Sequence, residues 1–324
     1  MNIEKQIEFD KIKEKWMELA ITDQAKEQIR TVSFCLSEME LRKRLKDTTD
    51  SRLLMEQIGM PPLQNVSEIK EILMIAEKGG CLTPYQLEQV EKVLAAVRRL
   101  RDYLTRGRGS GNSLAYYDEN LYTVEELREE IGRQIRGQEV DDHASKELLQ
   151  IRRQIVKCEE QMRQKAEQVL RSNKECMADN FCTLRNGRIC VPVKKEYKWK
   201  ILGSTVDKSS TGNTLFVEPV SISNMYEEVQ LLKIEEENEV HRILYTLTAM
   251  AAEGAPVMQE NMRMIEKLDF IFSKGKLSID LDASEPEIST GRSIVLKDAR
   301  HPLMDKNTSV PLQFEMGGSI SGII

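Results

Sequence analysis

The feature that most constrains this chain is a seam. The apolar residues Leu148, Ile151, Ile155, Cys158, Met162, Ala166 and Val169 follow one another at spacings of three and four, the period that draws one narrow stripe along an α-helix. A second stripe, Met225, Val229, Leu232, Val240, Ile243 and Leu247, is interrupted by Glu236. Each stripe must be buried, and two of them on long helices with a short insertion between are best buried against each other. The expectation is an antiparallel arm with something mounted on it.

What lies between the stripes has a different period. Cys182 and Leu184, then Asn186-Gly187, then Ile189, Val191 and Val193 alternate around the dipeptide that best fits a two-residue type I′ turn. Further β-like segments at 201–206 and 214–217 predict a small antiparallel sheet over 181–221. Within that insertion Arg185, Arg188, Lys194, Lys195, Lys198, Lys200 and Lys208 are seven cations against the three anions Glu196, Asp207 and Glu218. The insertion therefore carries +4, and since the whole chain carries −6, the remainder carries −10. A basic tip on an acidic chain suits a phosphate backbone, whereas the global charge would not. In the expected hairpin Arg185 and Arg188 face each other, a like-charge pair that an anion bound between them would relieve. Lys208, Ser209, Ser210, Thr211, Gly212 and Asn213 form a flexible turn with a cation, hydroxyls and backbone amides suited to phosphate oxygens. An edge hairpin whose lysines merely block aggregation is the alternative.

The flanking sequence is helical. At 324 residues the chain is long enough for about two domains. Charged residues are 31% and aromatics 5%, with only 17 Gly and 9 Pro, a balance that excludes disorder, collagen and an all-β sandwich. The fold class expected is mainly α with a small antiparallel β insertion. Helices are predicted from Phe9 to Ala20, again from Thr22 or Asp23, from the Ser37/Glu40 capping box toward Ile58, from Ser67 to Gly79-Gly80, from Thr83-Pro84 through Val97, and from Thr123 to about Arg136. Residues 106–111, with three glycines and two arginines, read as a mobile, solvated loop. One more helix begins at Pro256 with Met262, Ile265, Leu268 and Ile271 inward, and extended segments follow at 286–288 and 293–296. The final Gly317 to Ile324 reads as the start of an unfinished strand.

Catalytic and metal signals are weak. The six cysteines include no Cys-x-x-Cys, and the three histidines are not spaced from them as zinc ligands. His143 follows Asp141-Asp142 and reads as part of a helix cap rather than a metal site, and His241 as an exposed partner of Glu237. The first ten residues lack an apolar run long enough for a signal peptide or a membrane span, so the chain reads as cytoplasmic with free thiols and no membrane partner.

Several segments carry a resemblance. The stretch 7–12 (Ile-Glu-Phe-Asp-Lys-Ile), Asp142-His143-Ala144-Ser145 onward to Arg152, Thr183-Leu184-Arg185-Asn186-Gly187-Arg188 with Val191 to Lys194, Ser210 through Pro219, and Ala299-Arg300-His301-Pro302-Leu303 together resemble the MutS superfamily. The match is to the second bacterial MutS paralogue, associated with suppression of recombination. The resemblance implies a helical N-terminal core over 1–138, lever helices over 139–180 and 222–255, a DNA clamp over 181–221, a connector helix and linker over 256–290, and the beginning of an ABC-type ATPase domain over 291–324. It implies DNA as partner, gripped through its backbone by Arg185, Arg188, Lys194, Lys195, Lys198, Lys200, Lys208, Ser209 and Ser210. It also implies a homodimer in the full-length protein, with ATP and Mg²⁺ as that protein's cofactors and His301 near the nucleotide. No G-x-x-x-x-G-K-[ST] occurs in the sequence, so this chain itself is expected to bind no cofactor and hydrolyse no ATP. Leu312-Gln313 stands where the family shows Pro-Asn-Asp after its His-Pro segment, and no separate mismatch-reading domain precedes the core. Two other readings remain open: an arm that engages ribosomal RNA, as in relatives that rescue stalled ribosomes, and a purely structural dimerisation arm.

Overall fold

The computed structural model describes residues 3–317 apart from Leu36, Arg292 and Lys306. It is 63% helical, with three small antiparallel sheets among the described residues. The helices are α1 (Ile3–Gln6), α2 (Phe9–Leu19), α3 (Asp23–Thr31), α4 (Glu38–Ile58), α5 (Ser67–Glu77), α6 (Pro84–Gly107), α7 (Glu125–Gln134), α8 (Lys146–Ser172) and α9 (Val220–Asp280). The strands are β1 (Ile135–Arg136), β2 (Glu139–Val140), β3 (Thr183–Arg185), β4 (Arg188–Lys194), β5 (Gly203–Lys208), β6 (Thr214–Pro219), β7 (Ile294–Ala299) and β8 (Leu312–Met316).

Helix boundaries follow their caps. The Ser37 hydroxyl accepts the Glu40 amide at 3.4 Å to open α4, which stops at Gly59, where φ is +85°. Thr83 and Gln86 form a reciprocal box at the start of α6: the Thr83 amide donates to Gln86 Oε1 at 2.9 Å and the Gln86 amide to Thr83 Oγ1 at 3.3 Å. The Ser145 hydroxyl accepts the Leu148 amide at 3.0 Å to open α8.

The chain divides into two compact units. One comprises 1–80, 89–128 and 251–324. Inside it Trp16, Ala20, Ala25 and Ile29 pack with Phe270 and Leu277, and the buried Asp269 carboxylate accepts the backbone amides of Ile21 and Thr22 and the Thr22 hydroxyl. The other comprises 81–88 and 129–250. Here α8 and the first half of α9 bury their stripes together: Ile151, Ile155, Met162 and Ala166 pack with Ile222 and Val229, flanked by Cys158, Met225 and Leu232. Polar partners run in opposite order along the two helices, Ser145 to Glu239, Arg152 to Glu236 and Glu159 to Lys233, so the pair is antiparallel.

Three expectations change. Residues 106–111 are not a loose loop: α6 runs to Gly107 and a 3₁₀ turn covers Arg108–Ser110. A Cβ on Gly107 would lie 2.4 Å from Leu54 Cδ1, so glycine there permits close packing. The Arg108 guanidinium pairs with Asp118 and, at 2.8 Å, with Glu119, and lies over the Tyr116 ring. No new helix begins at Pro256, because α9 runs unbroken through it. Proline forfeits one helical hydrogen bond, and the buried Ala251, Ala255 and Met258 around it fix the helix by packing. The helix expected to reach Arg136 ends at Gln134, and 135–140 form a hairpin through Gly137 and Gln138, both at positive φ. Of the two extended segments expected after α9, 286–288 lie in neither helix nor strand, and the second supplies β7 from Ile294 on, which pairs with β8. The strand start expected at the end of the chain falls, from Gly318 on, outside the described residues.

Candidate nucleic-acid interface

The inserted sheet has the order β3-β4-β6-β5, all antiparallel. Its first turn is as the sequence predicts: Asn186 and Gly187 have φ of 50° and 75°, the type I′ signature, and Arg185 stands opposite Arg188. One face is core, with Val191, Val193, Leu215 and Val217 buried against Leu170, Met177 and Ile201. Gly203 begins β5 because a Cβ there would sit 2.1 Å from the Glu218 carbonyl oxygen.

Along the register Arg185, Arg188, Cys190 and Glu218 share the opposite face. Arg188 Nη1 donates to Glu218 Oε2 at 2.6 Å, and its guanidinium lies 4.7 Å from the centre of the Tyr226 ring. The Glu218 side chain is only 1% exposed and Arg188 is 38% exposed. Hydrogen bonding to that carboxylate holds the Arg188 guanidinium still more firmly protonated. Arg185 lies 4.3 Å from the centre of the Phe216 ring and 3.7 Å from Asp207. The facing arginines thus have their charges offset by the protein's own carboxylates, where the sequence pointed to a bound anion. Burial pushes the Cys190 thiol beside them up to about 11.

The lysines are arranged differently. A 3₁₀ helix spans Lys195–Lys200, and at three residues per turn every third side chain is eclipsed. Lys194 and Lys200 accordingly both lie over the Tyr197 ring, at 6.0 and 5.3 Å from its centre. The Lys194 ammonium also donates to the Glu175 carbonyl at 3.1 Å. Lys195 and Lys198 are exposed on a second side of the turn, and Lys208 is exposed at the end of β5. Among the described residues none of these five lysines has a carboxylate at ion-pairing distance. The Lys195 amide donates to the Asn213 carbonyl at 3.0 Å, which ties the 3₁₀ turn to the β5–β6 turn. In that second turn the Ser209 hydroxyl accepts the Thr214 amide at 3.1 Å and contacts Thr211 Oγ1, so it closes the turn, whereas Ser210 is exposed.

Sequence reasoning counted the charges but passed over Tyr197 and Trp199, although Lys-Lys-Glu-Tyr-Lys-Trp-Lys over 194–200 interleaves cations and aromatics in plain sight. It also read Glu236 as a flaw in the stripe. The Arg152 guanidinium donates to Glu236 at 2.8 Å and to the Val140 carbonyl at 2.9 Å and pairs with Asp142, so Glu236 is the anchor of a cross-helix bridge.

His301 belongs to the other unit. Its Nε2 lies 3.8 Å from Glu8 Oε2 and its Nδ1 accepts the Leu303 amide at 3.3 Å, both side chains being partly open to solvent. Among the described residues no group of His, Cys, Asp and Glu could hold a metal ion, and no helix is long and apolar enough to cross a membrane.

No family model matches the chain. Individual relatives do. A protein named Endonuclease MutS2 from Clostridium botulinum (strain Alaska E43 / Type E3) is 34% identical over 317 residues, 96% of this chain and 40% of that protein. Proteins of the same name from Clostridium perfringens (strain SM101 / Type A) and Geobacillus sp. (strain WCH70) are each 33% identical over 98% of this chain and 41% of their own length. This chain therefore spans about two-fifths of the relatives it matches, and it belongs with the MutS2-type paralogues of the MutS superfamily.

Proposed function

We propose that this chain is the DNA-gripping part of a longer ATP-dependent protein, and that residues 181–221 bind the phosphate backbone without reading sequence. The observation that supports the reading is a set of five lysines, Lys194, Lys195, Lys198, Lys200 and Lys208, that have no carboxylate at ion-pairing distance among the described residues, in an insertion whose arginines are by contrast already ion-paired. Cations held clear of carboxylates keep their charge available for counterion exchange on a polyanion. Arg185 and Arg188 then serve chiefly to shape the sheet, and Ser210 is better placed than Ser209 to meet a phosphate. The helix pair made by α8 and α9 acts as the lever, and ATP with Mg²⁺, a homodimer and any nuclease activity belong to the full-length protein.

The test is anisotropy of a labelled duplex titrated at several salt concentrations. Lys194→Glu/Lys198→Glu/Lys200→Glu is expected to flatten the plot of log affinity against log salt by roughly 3 and to remove most binding at low salt. Unchanged binding by the folded triple variant would reject the assignment. Displacement of the duplex by ribosomal particles at lower concentration than by DNA would move the reading to RNA.

A further inference from the structure

The 3₁₀ turn presents two chemically unlike rows. Lys194, Tyr197 and Lys200 form one, three-residue spacing places Glu196 and Trp199 on another, and Leu202 follows just beyond the turn. In the second row Trp199 is 77% exposed, and Leu202 beyond the turn is 84% exposed. This is not how the chain treats a tryptophan that serves the core: Trp16 is 5% exposed, donates from Nε1 to Ser273 Oγ at 2.9 Å and lies against Phe270. The Lys200 ammonium lies 5.3 Å from the centre of the Tyr197 ring and 5.7 Å from that of Trp199, so a cation sits where the two rows meet.

A row containing a carboxylate and an indole is unsuited to a phosphate backbone. It suits the other component of a nucleic acid: a planar base offers a π-face to the indole, whichever base it is. Within a duplex the bases are stacked on each other and have no free face.

We infer that Trp199 is a stacking platform for an unpaired base, so that the insertion takes single-stranded nucleotides on the Trp199 row while the lysine row holds the adjoining phosphates. This inference rests on the proposed nucleic-acid reading and adds to it the state of the strand. The charge pattern selects it over an apolar protein partner, because the indole is bordered by Lys198 and Lys200 and by no anion other than Glu196 on that turn.

The chain supplies its own reporter. It has two tryptophans, one buried and one exposed, so solvent-quenchable emission comes from Trp199. The probes are an oligo-dT of about 15 nucleotides, which spans one ordinary single-strand site, and a blunt duplex of the same length, both at low salt. The expected results are quenching of Trp199 and loss of its acrylamide accessibility with oligo-dT but not with duplex. Trp199→Ala should weaken oligo-dT binding at least about fivefold while leaving duplex binding within about twofold, and Trp199→Tyr should restore most of the loss. Oligo-dT bound tightly with Trp199 emission and accessibility unchanged would overturn the stacking role while leaving the lysine reading intact. Equal loss on both probes in Trp199→Ala would do the same. If neither probe binds and the lysine reversals change nothing, the nucleic-acid reading itself falls.

Discussion

Removing either half of the Arg188–Glu218 pair should have unequal consequences. In Arg188→Met the Glu218 carboxylate keeps its 1% exposure, and its other oxygen, Oε1, already has no hydrogen-bond partner. Breaking a fully buried pair in this way costs about 3–5 kcal/mol. Arg188 is 38% exposed and screened by water, so the expected loss is that of the stranded Glu218 carboxylate alone, about 2 kcal/mol. In Glu218→Gln the guanidinium can turn into solvent and no charge is stranded, so the loss should be nearer 1 kcal/mol. The double variant Arg188→Met/Glu218→Leu removes both charges and should recover much of the single-variant loss. Global unfolding would mix the two units, so the readout is native-state hydrogen exchange of β4 and β6 amides. There, 2 kcal/mol corresponds to about 30-fold faster exchange. Equal effects of the two single variants, or an additive double variant, would refute the view that the stranded carboxylate dominates.

Three further expectations follow from the same geometry. Cys190, buried and pushed up to about 11, should be about one part in a thousand thiolate at pH 8; it should alkylate far more slowly than half-exposed Cys35, and comparable rates by peptide mass spectrometry would disprove its burial. Desolvation lowers Lys274 to about 8, so the unfolded chain binds that proton first as pH falls from 10.5. Wild type should lose stability relative to Lys274→Met as pH falls from 10.5 to about 8 and run parallel to it below; a flat difference across that window would count against a desolvated amine. Arg108→Ala should free the 3₁₀ turn at Arg108–Ser110 and open 106–111 to trypsin at Arg106, and resistance equal to wild type would mean that packing at Gly107, not the Asp118 pair, orders the segment.

The parts legible in the sequence were those with a strict period. The α8 stripe is buried at Leu148, Ile151, Ile155, Met162 and Ala166, and the Asn186-Gly187 turn forms with the expected register, because spacing and turn chemistry are local properties. Long-range partners decide the rest. Pro256 reads as a boundary until its buried neighbours hold the helix together, and three glycines read as a mobile loop until Gly107 meets Leu54 and Arg108 meets Asp118.

The same limit governs the charge count. Seven cations over 181–221 look equivalent in a string of letters, yet the fold sorts them into two kinds. Glu218 lies thirty residues beyond Arg188 and only the β4–β6 register brings them to 2.6 Å, just as Asp207 reaches Arg185 across the sheet. Of the lysines on and beside the short 3₁₀ turn, Lys194 and Lys200 lie over aromatic rings, and among the described residues none has a carboxylate at ion-pairing distance. A net charge of +4 therefore understates the contrast: the arginines and their carboxylates cancel within the sheet, and what remains for a polyanion is concentrated on one turn and the strand end beside it. On that argument, reversing lysines should alter salt-dependent binding with little change in β4–β6 hydrogen exchange, while Arg188→Met should alter the exchange first. Opposite rankings in the two assays would mean that the pairing pattern does not separate fold from function here.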